Sequence, residues 1–208
     1  MSTLNLAKFA ATELCRDPFD FVVVPGFVKA ECLAEIHAGF PRVERAGSFP
    51  LMSQHCGPGF ASLIDELQGE AVQAAFEEKF GVDLTGRPTM FTVRGHCSER
   101  DGFIHTDSVT KLITVLVYLN PKWEEAGGRL RLLRSNSDLD DFIVEVPPEE
   151  GTLLSFRRSD NSWHGHKPWI GPRRVIQMNW VVSQSVLRYE NRRHRISAFL
   201  KNILLRAS

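Results

Sequence analysis

Lys111-Leu112-Ile113-Thr114-Val115-Leu116-Val117-Tyr118 is a nearly unbroken run of apolar and β-branched side chains. With turn-forming residues on either side, it reads as a strand over 111–119. The same texture spreads outward from it as far as Pro88 and Val182. Strands are predicted at 89–96, 102–107, 111–119, 129–134, 142–146, 152–157, 162–166 and 173–182. Ser135 to Asp141 is polar and acidic and reads as a loop. Short strands at close intervals with turns between them indicate a sandwich or jelly roll.

The chain before Pro88 has a different period. Residues 3–15 read as a short helix, and Phe19 to Val24 as a strand-like run ending at the Pro25-Gly26 turn. Residues 29–40 carry Cys32, Leu33, Ile36 and Phe40 on one helical face. The stretch from Phe49 to Gly59 is irregular. A second helix is predicted over 60–80, capped by Gly81. Helices first and strands second make the chain α+β. The expected architecture is a double-stranded β-helix (jelly roll) core, with the N-terminal helices packed on its sheet and a C-terminal helix. One domain is expected over 1–208, with a mainly helical part (1–87), the core (88–184) and an amphipathic helix (185–208). That last helix follows a basic patch at Arg188, Arg192, Arg193 and Arg195 and carries Ile196, Phe199, Leu200, Ile203 and Leu204 at helical spacing. It is a candidate homodimer contact.

Composition narrows the function. Lys+Arg and Asp+Glu both number 25, so the net charge is zero, which argues against general nucleic-acid binding. No apolar run approaches the roughly 20 residues that span a bilayer. The start of the sequence shows no secretory leader. Cys15, Cys32, Cys56 and Cys97 are scattered without a Cys-x-x-Cys pair, which gives zinc or iron–sulfur sites little support. The reading is a cytoplasmic protein with reduced thiols, binding neither membrane nor nucleic acid.

Chemistry enters at Phe103-Ile104-His105-Thr106-Asp107. On a strand, His105 and Asp107 would project from one face. An imidazole beside a carboxylate is two thirds of the 2-His-1-carboxylate set that holds non-haem Fe(II) and leaves positions open. The third ligand must come from elsewhere in the fold. His164 and His166, in Ser162-Trp163-His164-Gly165-His166, are the candidates. His37 and His55 read as structural or surface histidines. Arg173-Arg174 opens the apolar strand Val175 to Val182. An arginine there is costly to bury unless it meets an anion, and a guanidinium grips a carboxylate bidentately.

His105-x-Asp107, then His164, then Arg174 ten residues on, resembles the Fe(II)/2-oxoglutarate-dependent dioxygenase superfamily, in its prolyl 4-hydroxylase-like branch. Lys111 to Trp123, Gly127 to Leu132 and Gly151 to Phe156 resemble that branch's intervening strands. The resemblance covers roughly residues 88–182. It implies that His105, Asp107 and His164 ligate iron, with no catalytic residue beyond the metal ligands. It implies that Arg174, with Tyr118, binds the distal carboxylate of the co-substrate 2-oxoglutarate, and that O2 is the second co-substrate. The implied reaction hydroxylates a C–H bond of an unidentified small-molecule or protein side-chain substrate and releases succinate and CO2. A carboxylate at Asp107 fills the place a halide would need, which favours hydroxylation over halogenation. Where many members of the branch carry a tyrosine before the first ligand, this chain has Arg94-Gly95-His96. Arg94 and His96 are therefore candidates for contacting a polar or anionic substrate. The rivals are a non-enzymatic jelly-roll metabolite-binding module and a cupin-type metal isomerase or epimerase. Both predict no dependence on 2-oxoglutarate.

Overall fold

The computed structural model describes residues 2–190 and 192. The helices are α1 (Leu6–Ala11), α2 (Ala30–Gly39), α3 (Pro58–Leu67) and α4 (Glu70–Phe80). The strands are β1 (Phe21–Val24), β2 (Phe49–Pro50), β3 (Thr89–Cys97), β4 (Lys111–Tyr118) and β5 (Leu130–Leu133), then β6 (Phe142–Val146), β7 (Leu153–Arg157), β8 (His164–Gly165) and β9 (Gly171–Val181). Six strands form one antiparallel sheet in the order β1-β7-β4-β9-β3-β2, and three form a second, β6-β5-β8.

Alternation along the strands explains the layers. Ile113, Val115 and Val117 of β4 and Ile176, Met178 and Trp180 of β9 turn one face of the larger sheet towards the helices. There they meet Phe9, Phe60 and Phe76, and the Trp180 and Phe76 ring centroids lie 4.9 Å apart. Each such side chain contributes roughly 1.5–3 kcal/mol on burial. The opposite face presents Leu116, Tyr118, Leu154, Phe156 and Val175 to Leu130, Leu132 and Val146 of the smaller sheet. Across this inner face the row Thr92–Gln177–Leu116–Leu154 is in register. It runs from polar on β3 and β9 to apolar on β4 and β7, so the polar chemistry gathers at one side.

Four sequence expectations change. The helix expected over 60–80 is two helices, α3 starting on Pro58 and α4 on Glu70, separated at Gln68-Gly69. The break lets Leu63, Ile64 and Leu67 as well as Val72, Phe76 and Phe80 reach one core. Gly81 caps α4 in the left-handed region, as expected. The helix of 3–15 shrinks to six residues, with the Asn5 side chain accepting from the Lys8 amide. Residues 102–107 form no regular strand; their one sheet contact is a bridge between His105 and His164. The irregular stretch 49–59 contains β2 and a single 3-10 turn. A helix does start at 184. The apolar helix expected to follow the basic patch lies outside the described residues.

Candidate metal centre and active site

His105 and Asp107 sit on the loop between β3 and β4, and His164 opens β8. The paired amides and carbonyls of His105 and His164 (3.0 Å each way) fasten that loop to the smaller sheet. One ligand atom from each of His105, Asp107 and His164 falls within 4.8 Å of the others. The strand rationale for the His-x-Asp pair therefore fails, while the pair still converges on His164 through this bridge.

The imidazoles are oriented for ligation. His105 Nδ1 lies 2.8 Å from the Phe103 carbonyl, and His164 Nδ1 lies 3.0 Å from the Ser162 carbonyl. A carbonyl only accepts, so each Nδ1 carries a proton, which leaves Nε2 as the nitrogen through which each ring would ligate a metal. Burial pushes the His164 imidazole down to about 4, against the opposing pull of Asp107. It is thus neutral, as a ligand must be. For Asp107, burial is the strongest single influence and pushes its carboxyl up. The Lys111 ammonium, His164 and hydrogen bonds from Lys111 and Thr114 together outweigh it and hold the group down at about 2.

Asp107 is held at both oxygens. Lys111 Nζ donates to Oδ1 at 2.6 Å, and the Thr114 hydroxyl donates to Oδ2. Behind Thr114, Asn179 Nδ2 donates to Thr114 Oγ1 at 2.8 Å, and Gln177 Nε2 donates to Asn179 Oδ1 at 3.1 Å. Every donor in this chain points towards the carboxylate, so the bonds polarise one another in one sense.

The cluster borders a cavity of about 250 Å³ whose wall includes Arg94, His166, Arg173 and Gln177. The arginine pair divides between the two faces of the sheet, with Arg173 on the cavity and the expected anchor, Arg174, on the other face. Arg174 shares the face of Ile176, Met178 and Trp180, as alternation requires, but that face meets the helices. Its guanidinium lies 5.4 Å from the Phe40 ring centre, away from the cavity. Arg173 is buried in the cavity wall, with Nε donating 2.8 Å to the Gly128 carbonyl and its guanidinium 5.5 Å from the Tyr118 ring centre. What decides between them is which face of β9 meets the helices: alternation holds from Arg173 to Trp180, and the parity of Arg173 is the one that faces the cavity. The Tyr118 hydroxyl is fully buried and has no hydrogen-bond partner among the described residues. Burial raises it to about 12, against the opposing pull of the Arg173 guanidinium beside it. An orphaned buried hydroxyl beside a buried guanidinium is a fitting receptor for a carboxylate.

The remaining candidates divide. His166 lines the cavity but stands outside the cluster, with Nδ1 2.8 Å from the Lys167 carbonyl. Burial, with Arg173 nearby, takes its imidazole down to about 4. Arg94 also lines the cavity, paired with Asp101 at 2.6 Å. His96 does not, because the slipped register turns it to the Val43 carbonyl at 3.0 Å. Sequence reasoning passed over Lys111, Thr114, Gln177 and Asn179. One signal for the last two was present: on β9 the polar residues Arg173, Gln177 and Asn179 share one parity and the large apolar ones the other.

Residues 93–182 match the family model described as the 2OG-Fe(II) oxygenase superfamily. No match was found among curated protein sequences. Similar solved structures include a Pseudomonas putida prolyl-4-hydroxylase, 14% identical with a TM-score of 0.56 over 85% of this chain and 88% of that one. Another is a prolyl hydroxylase in complex with a hypoxia inducible factor oxygen degradation domain peptide fragment, from Trichoplax adhaerens (18%, TM-score 0.52, 85% and 86% covered). A third is HygX from Streptomyces hygroscopicus with nickel and 2-oxoglutarate bound (15%, TM-score 0.53, 79% and 82%). The segment carrying the His-Asp-His cluster thus matches the model of the 2OG-Fe(II) oxygenase superfamily, and the structural neighbours named are prolyl 4-hydroxylase-like. That superfamily uses Fe(II) and 2-oxoglutarate, and the donor set here, two imidazoles and one carboxylate, suits Fe(II).

Proposed function

We propose that the chain is an Fe(II)- and 2-oxoglutarate-dependent dioxygenase that hydroxylates a C–H bond and releases succinate and CO2. The observation that carries this reading is one cavity bordered by His105, Asp107 and His164 and reaching Arg173, with Tyr118 behind it. The two facing sheets are read as a double-stranded β-helix, and the chain as a single dioxygenase domain. His105, Asp107 and His164 would hold the metal. Arg173, in place of Arg174, would take the distal carboxylate of 2-oxoglutarate, with the Tyr118 hydroxyl donating to it. Bound iron would supply O2 activation coupled to decarboxylation of the co-substrate. The chain's own residues supply orientation: carbonyls fix the histidine tautomers, and Thr114 fixes the carboxylate. Arg94 remains a candidate substrate contact, since it lines the same cavity. The substrate itself is read as a small molecule or a protein side chain, and one neighbour does hold a peptide. No helix among the described residues is long and apolar enough to cross a membrane. The four free cysteines support a reducing, cytoplasmic setting. A homodimer through the C-terminal segment is a further expectation.

The test is anaerobic titration of metal-stripped protein with Fe(II) and then 2-oxoglutarate, followed by visible charge-transfer absorption. A band that needs both additions and disappears in His164→Ala supports the reading. Folded wild-type protein without a band would bring the metabolite-binding module forward.

A further inference from the structure

A second cavity, of about 190 Å³, adjoins the metal cluster. Its wall shares His105, Asp107, Lys111 and Gln177 with the first cavity and adds Ser108 and Thr110. Lys111 thus borders both, and its side chain is only 15% exposed. Its ammonium rests on Asp107 Oδ1. The other oxygen, Oδ2, is committed to Thr114, a buried donor at the end of the chain from Gln177 and Asn179. Oδ1 is therefore the oxygen available to a metal. A divalent cation and an ammonium compete there, since like charges a few ångströms apart in a partly buried site repel strongly.

We propose that Lys111 leaves Asp107 when the metal is bound and then recognises an anionic group, a carboxylate above all, on the primary substrate in this second cavity. The inference rests on the oxygenase reading. Once parted from Asp107, a nearly buried ammonium needs a new counter-ion. The wall's other carboxylate, Glu190, has interactions of its own. The first cavity already offers Arg173 for the distal carboxylate of the co-substrate. Ser108 and Thr110, whose hydroxyls lie 2.8 Å apart, add hydrogen-bonding capacity beside Lys111. The substrate class that fits is a compact, polar molecule bearing a carboxylate.

The experiment uses Co(II)-loaded protein saturated with 2-oxoglutarate. The probes are trifluoroacetate and its neutral counterpart trifluoroethanol, followed by paramagnetic relaxation of their fluorine signals. Trifluoroacetate should relax saturably and trifluoroethanol should not. Lys111→Met should bring trifluoroacetate to the level of trifluoroethanol, and Lys111→Arg should preserve the difference. Lys111→Met should also bind Co(II) several-fold more tightly, its competitor being gone. Trifluoroacetate relaxation that is absent in wild type, or that persists in Lys111→Met, overturns the proposal. So does weaker Co(II) or 2-oxoglutarate binding in Lys111→Met, which would make Lys111 a support for Asp107 or for the co-substrate. Circular dichroism and a second variant, Lys111→Gln, separate loss of fold from loss of charge. Failure of the oxygenase reading has a different signature: no charge-transfer band with Fe(II) and 2-oxoglutarate.

Discussion

Arg173 and Arg174 are chemically identical neighbours with opposite destinations, and the difference is one of parity. Loss of a charge-assisted carboxylate contact costs about 1.5–3 kcal/mol. Arg173→Ala should therefore weaken 2-oxoglutarate binding roughly 10- to 100-fold by calorimetric titration of the metal-loaded protein. Arg174→Ala, at an exposed position, should change it less than about twofold. The reverse ranking would return the anchor to Arg174. Thr114 poses a similar test behind the metal. Thr114→Val keeps the shape and removes the donor to Asp107 Oδ2. Metal affinity should fall roughly 10- to 100-fold, the usual cost of losing a partner behind a ligand, and Thr114→Ser should restore it. The three candidate ligands, which the fold brings together, were legible because their types and order are chemical. The choice between the arginines was not, because it depends on which side of the sheet the helices cover. The apolar parity of β9, which Arg174 shares, packs under α4 through Trp180.

Among the elements, the helices were legible as periodic apolar stripes but not in their joints. α2 and α3 cross where a Cβ added at Gly59 would lie 2.7 Å from the Glu35 carbonyl oxygen. Gly59→Ala must push the helices apart. It should cost about 1–3 kcal/mol, as overpacking does. For a chain of this size that is a fall in melting temperature of roughly 2–4 °C per kcal/mol. An unchanged melting temperature would mean that the crossing yields freely. The α3 residue Glu66 ties down the start of the chain by accepting from the Thr3 amide (2.7 Å), the Leu4 amide (3.2 Å) and the Ser2 hydroxyl. Burial, the largest influence, pushes its carboxyl up, but these donors prevail and leave it below its ordinary 4.5. A carboxyl lowered by folding adds stability that is fully present above 4.5 and is lost as pH falls through the folded value. Glu66→Gln should accordingly be less stable than wild type at pH 7, with the gap closing below 4.5. Thermal melts across that range measure it, and a gap independent of pH would refute the assignment.

At the scale of the whole molecule, the candidate metal site spans two sheets. Asp107 and His105 precede β4 of the larger, and His164 opens β8 of the smaller. A cation held by all three should stabilise the fold by about 2.7 kcal/mol at a hundredfold excess over its Kd. The expected observation is a higher melting temperature with Zn(II) or Mn(II), reversed by chelator and absent in Asp107→Ala. An equal shift in that variant would place the bound ion elsewhere. The two-layer plan was legible from strand spacing, and the strand order was not, since pairing across long connections leaves no local mark in the sequence. That order has one more consequence. The larger sheet ends on its shortest strands, β1 with four residues and β2 with two, and β2 closes on Pro50. Phe21-Val-Val-Val24 is the kind of segment that recruits further chains when it lies long and open at a margin. Here its first residue is already engaged by Cys15. Brevity, a proline and a capping bridge leave the two margins of the larger sheet little backbone on which a further strand could add.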